Sequence, residues 1–268
     1  MNATVDDEAG GRMLWQLLTL ARVTLQEALK SRYFLLVFAI LLSGVLLGGV
    51  LGQVAITESR QIERGFVAAF FRLGVIFSIT LLILSGISRE FNDGTIMLYL
   101  SLPMRRATYL LGKLLGLAGI GVIAVAMAML SLLIFAPWQP LLIWSLSLYL
   151  ETLIVSGFAI LCVITFQQIP QSFAAVAGFY LLSRSLHALQ MIGTQQVMES
   201  ESLFHDSMLG FIDLLGYILP ALDTFTRSEW LIHSIVDPAR LLPLLIQTLI
   251  YLSLLTLLAL FDLYRKDL

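Results

Sequence analysis

The chain alternates long apolar runs with short polar connections, and the lengths of the runs decide what each can be. Six runs carry too little charge to sit in water: residues 33–51, 66–87, 110–135, 141–165, 172–189 and 241–264. A hydrocarbon core about 30 Å thick is crossed by roughly 17 to 25 helical residues, which matches them. Every backbone polar group must find its partner inside such a segment, so helices are required. The pattern predicts an all-α polytopic membrane protein with six transmembrane helices.

Two segments fit neither class. Residues 13–31 place Leu14, Leu17, Leu18, Ala21, Leu25 and Leu29 at helical spacing, with Arg22, Gln26 and Lys30 on another side. This predicts an N-terminal amphipathic helix lying in the membrane interface. Residues 195–240 mix Glu199, Glu201, Asp206, Asp213, Asp223, Glu229 and Asp237 with an apolar run over 208–220 that is too short to cross. A half-inserted outer segment, shielded by protein and ended by Pro220, is predicted there.

Charge then sets the orientation. Ten basic residues outside the spans fall on one side: Arg12, Arg22, Lys30, Arg32, Arg89, Arg105, Arg106, Lys113, Arg265 and Lys266. Only Arg60, Arg64, Arg227 and Arg240 fall on the other. The positive-inside rule places both termini in the cytoplasm and the 195–240 loop outside. Ala136-Pro137-Trp138-Gln139-Pro140 then makes a tight external turn with an interfacial tryptophan.

The one charged, well-punctuated stretch between two spans runs from Ser88 to Lys113. Asn92, Asp93 and Gly94 predict a turn, Thr95 caps a short helix through Leu102, and Pro103 ends it. The face of Ile96, Leu98, Tyr99 and Leu102 is too apolar for water, and the helix is too short to span, so a protein partner is expected to cover it. Glu90, two residues before the turn, is expected to fix this helix by accepting bonds from a basic group or from backbone donors.

Glu90, Gly94-Thr95, the run Leu98 to Leu102, Pro103, Arg105 and Gly112-Lys113 resemble the first cytoplasmic loop of the permease subunits of ABC-2 type transporters. The likeness is to the subgroup that includes permeases accompanying nitrous-oxide reductase maturation. Elsewhere the chain matches in hydropathy and layout. The resemblance implies that 88–109 is a coupling loop, with Glu90, Gly94, Thr95, Leu98, Leu102, Pro103, Arg105 and Arg106 forming the contact with a separate ATPase subunit. It also implies two copies of this chain paired as a homodimer in the bacterial inner membrane and bound to two ATPase subunits. Those subunits would hold ATP and Mg, this chain no cofactor of its own, and the assembly would export a substrate. Two rivals keep the same topology: a permease-like mechanical relay or regulatory subunit, and a membrane enzyme acting on lipid.

Composition agrees with a membrane protein. With 59% hydrophobic and 13% charged residues and a mean hydropathy of +0.91, the chain is not a water-soluble globule. A net charge of −2 offers no basic surface for nucleic acid. The single cysteine, Cys162, makes neither a disulfide framework nor a metal site. The N-terminal ten residues lack the basic region and apolar core of a signal peptide, so insertion is expected to rely on internal spans. Gly112-Lys113 is followed by leucine, which is not a phosphate-cradling loop, and His187, His205 and His233 stand at no ligand spacing.

Charges inside the spans narrow the packing. Arg72 lies about 9 Å below the outer boundary, within reach of the interface by snorkelling. Glu151 lies about 15 Å down the fourth span and Arg184 about 18 Å up the fifth, so their heights differ by only about 3 Å. An unpaired charge at that depth costs at least about 3 kcal/mol. The two are predicted to form an ion pair or an intramembrane polar cluster, with His187 as a third candidate. Gly44, Gly48 and Gly52, at four-residue intervals, predict a close helix contact, within one subunit or between two.

Overall fold

A computed structural model of the chain describes residues 3–54, 59–101, 104–196, 210, 214–216, 218–227, 230–231, 239 and 241–266. Among these it is all-helical: α1 Ala3–Lys30, α2 Arg32–Val54, α3 Ser59–Asn92, α4 Thr95–Ser101, α5 Arg106–Leu132, α6 Trp138–Phe166, α7 Ile169–Gln196 and α8 Leu241–Arg265. A 3₁₀ turn, Leu222–Thr224, precedes α8.

Five of these are long and apolar enough to cross a membrane: Arg32–Gly52, Glu63–Asn92, Arg106–Leu132, Trp138–Phe166 and Leu241–Arg265. The run expected as a fifth span, 172–189, forms part of α7, whose 28 residues suffice in length. Gln171, Ser183, Arg184 and Ser185 leave α7 less apolar than the other five. Of the expected half-inserted run 208–220, residues 210, 214–216 and 218 are helical, and Leu219 N closes onto Leu215 O at 2.8 Å just before Pro220.

Several expected boundaries shift. α1 extends back to Ala3 rather than starting at 13. α3 continues five residues beyond 87, so the first part of the loop is a helical extension of the span. α5 starts at Arg106 and stops at Leu132, not Phe135. There the amides of Phe135 and Ala136 both bond to Leu132 O, and Arg64 Nε donates to Phe135 O at 2.7 Å, fixing the turn.

α6 is the centre of the bundle. It packs on α3, α5, α7 and α8, and 72% of its apolar window is buried, against 22% for α2 and α8. Trp144, Leu148, Ile154 and Val163 fill this interior. A helix buried on several sides needs no polar stripe, which fits its nearly uniform apolarity.

Glycines set the two closest contacts. A Cβ on Gly44 would lie 2.3 Å from Phe71 Cε1, and one on Gly48 2.7 Å from Val67 Cγ2, so this glycine series seats α3 against α2 within the chain. Gly112 and Gly116 do the same for α1 on α5, where Cβ atoms would meet Leu20 and Thr24 at 2.8 and 2.6 Å. The protein-facing side of α1 is therefore Leu20, Thr24 and Ala28, while Leu14, Trp15 and Leu18 point away from the protein. Of the expected apolar stripe of α1, Leu14, Leu18 and Leu29 are exposed and Leu17, Ala21 and Leu25 half-buried, so the face that packs on the protein is a neighbouring one.

Candidate coupling surface and buried polar cluster

The loop between α3 and α5 is built on one backbone conformation. α3 ends when Asp93 N bonds to Arg89 O at 2.8 Å, and Gly94 then turns the chain at φ 69°, a region glycine enters without the Cβ penalty. Met97 N closes onto Gly94 O, and Thr95 opens the seven-residue α4.

Glu90 anchors the base of this turn. It is buried; its Oε2 accepts from Tyr109 Oη at 2.7 Å, and its Oε1 accepts from Lys113 Nζ. Lys113 also lies 3.9 Å from Glu27 Oε2 on α1. One buried carboxylate thus joins the end of α3 to the first turns of α5, and Lys113 extends the link to α1. Such a pair is costly to break from one side, because the other charge stays buried.

α4 divides its apolar residues between inside and outside. Ile96 is buried in the core, and Tyr99 packs toward Tyr109 with ring centroids 6.0 Å apart. Burial, then the carboxylates of Glu27 and Glu90, raise the Tyr99 phenol above its ordinary pKa. Met97 and Leu98 are the exposed apolar side chains of α4 among the described residues, 58% and 67% exposed. The face expected to await a partner is therefore corrected: Ile96 and Tyr99 are covered by the chain itself, and Met97 joins Leu98 outside. Leu102 and Pro103 lie outside the described residues.

The two arginines of the loop part company. Arg105 is exposed ahead of α5. Arg106 Nη1 donates to Leu263 O at 2.7 Å and to Lys266 O at 3.1 Å, and its guanidinium lies 5.6 Å from the Tyr264 ring centroid. It caps the C-terminal end of α8, where unpaired carbonyls favour a cation. Lys266 does likewise for α6, donating to Ile164 O, and reaches Thr165 O at 3.3 Å.

The second cluster lies within the bundle. Glu151 has no exposed surface; its Oε1 accepts from Tyr180 Oη at 3.1 Å and from Arg184 Nη1 at 3.3 Å, and its Oε2 accepts from Thr226 Oγ1. The structure thus brings Glu151 and Arg184 together, as their depths require. Arg184 Nη1 also donates to Leu222 O at 2.9 Å, and Thr226 N donates to Ser147 Oγ at 3.0 Å. Arg72 Nη1 donates to Thr226 O at 3.1 Å, so this arginine turns into the cluster and does not snorkel as expected. Thr226 itself sits at φ 42°, an uncommon conformation that these bonds hold in place. His187 lies on α7 one turn after Arg184, its side chain outside the described residues.

The profile of the ABC-2 family transporter proteins matches residues 18–197, which include α4 and Glu151, Tyr180 and Arg184 of the buried cluster. The chain belongs to the ABC-2 transporter family. Comparison with curated proteins gives no match. As an ABC-2 protein it is a multi-pass membrane component of an ABC transporter, in a family whose members generally work with an ABC ATPase.

Sequence reasoning about this ABC-2 chain missed Tyr180, Thr226 and Arg72 as neighbours of Glu151, and Tyr109 as a neighbour of Glu90. Tyr180 was open to detection, since it precedes Arg184 by one helical turn and shares its face. Thr226 was not, because its place depends on a loop whose path no periodicity encodes.

Proposed function

We propose that this chain is the permease half of an ATP-driven exporter in the bacterial inner membrane, with six spans formed by α2, α3, α5, α6, α7 and α8 and both termini in the cytoplasm. In this reading α4 is the coupling helix, and it docks on a separate ATPase subunit that binds ATP and Mg. Two copies of the chain pair and bind two ATPase subunits. We place the chain in the subgroup that includes the permeases accompanying nitrous-oxide reductase maturation, which its loop resembles, and α1 lies along the cytoplasmic interface.

The observation that carries this reading is the mounting of α4. It presents Met97 and Leu98 outward on a short surface helix, and the turn that holds it is tied by Glu90 to Tyr109 and Lys113 at the base of α5. A push on the exposed pair is passed to α3 and α5 together, because a buried hydrogen-bonded carboxylate links them. In this reading two copies pair along α7, where Leu181 is 63% exposed and borders an apolar cavity of about 390 Å³ between α3 and α7.

A photocrosslinking side chain placed at residue 98 in intact cells tests the docking. It should yield an adduct with an ATP-binding subunit, identified by mass spectrometry, whereas the same group at residue 249 on the exposed face of α8 should not. Crosslinking at 98 to lipid alone, or equally at both positions, would contradict the assignment of α4.

A further inference from the structure

A cavity of about 460 Å³ lies where α1 passes into α2, closed by the last turns of α3, by α5 and by the start of α7. The Glu90–Lys113 pair forms part of its wall, but neither the docking surface nor the Glu151 cluster uses the space itself. Three basic residues stand at it, each exposed: Lys30 at the end of α1, Arg32 at the start of α2 and Arg89 in the last turn of α3. None of the three has an ion-pair or hydrogen-bonding side-chain partner among the described residues. Lys113 is different, since Glu90 pairs with it and Glu27, the other carboxylate at the cavity, lies 3.9 Å from it.

Two hydroxyls point to the same conclusion independently. Thr24 is only 5% exposed and Ser31 is half-buried, and both line the cavity. Their Oγ atoms are buried with no hydrogen-bond partner among the described residues. A buried hydroxyl without a partner is costly, and native proteins usually supply one. Leu82, Ile83 and Ile87 make the remaining wall apolar. A molecule that satisfies all three conditions carries a negative charge, oxygen acceptors and an apolar continuation.

We propose that this cavity binds the headgroup of an anionic phospholipid, the phosphate lying among Lys30, Arg32 and Arg89, with Thr24 and Ser31 donating to its oxygens. The position fits, because the cavity sits at the ends of membrane-spanning helices, where a phosphate and the first acyl carbons meet the protein. Charge-assisted bonds from arginine to phosphate are among the strongest available at such a surface. The bound lipid bridges α1, α2 and α3 beside Glu90, and so fixes the relation of the N-terminal helix to the coupling loop. Which leaflet supplies it follows from the orientation proposed above; the binding itself does not depend on that orientation or on an ATPase.

The test uses the purified full-length chain in detergent, titrated with phosphatidylglycerol or with phosphatidylcholine of the same acyl chains and read by native mass spectrometry. One phosphatidylglycerol per chain should bind at least about tenfold more tightly than phosphatidylcholine. The combined change Lys30→Gln, Arg32→Gln and Arg89→Gln should bring the two lipids level. Gly86→Leu should abolish the preference with every charge intact: Gly86 lines the cavity, and a Cβ there meets no atom within 4 Å, so the added side chain starts in open space and takes up volume the headgroup would use. Gly86→Leu also carries the test alone if the triple variant fails to fold. Equal binding of both lipids to the unaltered chain would overturn the proposal, as would a preference that survives Gly86→Leu. Displacement of the lipid by millimolar inorganic phosphate would overturn the lipid assignment and leave a site for a free anion.

Discussion

Glu151 is the residue on which the buried cluster between α3, α6 and α7 turns. It is buried, it accepts from Tyr180, Arg184 and Thr226, and through Thr226 it is connected to Arg72 on α3. Removing its charge leaves two arginines without a nearby anion, whereas removing Arg184 leaves Glu151 with Tyr180, Thr226 and the field of Arg72. Glu151→Gln should therefore lower stability by about 3–5 kcal/mol, and Arg184→Gln by less. The double change should cost less than the sum of the two, which thermal unfolding in detergent of the two single variants and the double variant measures. Additive losses would mean that the side chains act independently. The encounter of Glu151 with Arg184 was legible in the sequence because helical rise converts residue number into depth. Arg72 was misjudged because depth alone does not say whether a long side chain turns toward the interface or toward a loop folded back between helices.

At the scale of elements, the α1–α5 contact shows what hydropathy leaves unread. The apolar positions of α1 announce an amphipathic helix, but not which of its residues meet the protein. That choice is made on α5 by Gly112 and Gly116, which open a trough for Leu20 and Thr24. Gly116→Leu should force α1 off this trough, since its Cβ alone would lie 2.6 Å from Thr24 Cβ and 2.8 Å from Ala21 O. A destabilisation of about 1–3 kcal/mol is expected for overpacking at such a contact. Gly178→Ala, where a Cβ meets nothing within 4 Å, should leave the melting temperature unchanged or raise it. Similar melting temperatures for Gly116→Leu and the unaltered chain would show that α1 is not seated there. Five of the six expected spans, those in α2, α3, α5, α6 and α8, were legible from run length alone. Their ends were not, because α3 continues as a helix past its apolar run until Gly94 turns the chain, while α5 starts early at Arg106 and stops short of Phe135 at the Leu133–Ala136 turn.

For the whole molecule, the two clusters divide the labour by position. The Glu151 cluster binds α3, α6 and α7 to the segment carrying Leu222 and Thr226. The Glu90 cluster binds α3, α5 and α1 beneath the exposed pair Met97 and Leu98. α3 belongs to both, so it is the element through which a push at α4 would reach the far side of the bundle. Its length makes this feasible, for at 34 residues it spans about 50 Å. The account rests on the chain being driven from outside by a second protein. ATP hydrolysis by the purified full-length chain, reconstituted in lipid with and without its ATPase subunit, tests that claim most directly. The chain alone should hydrolyse no ATP above background, and activity should appear only when the ATPase is added. Hydrolysis that persists after every co-purifying protein has been removed would contradict it.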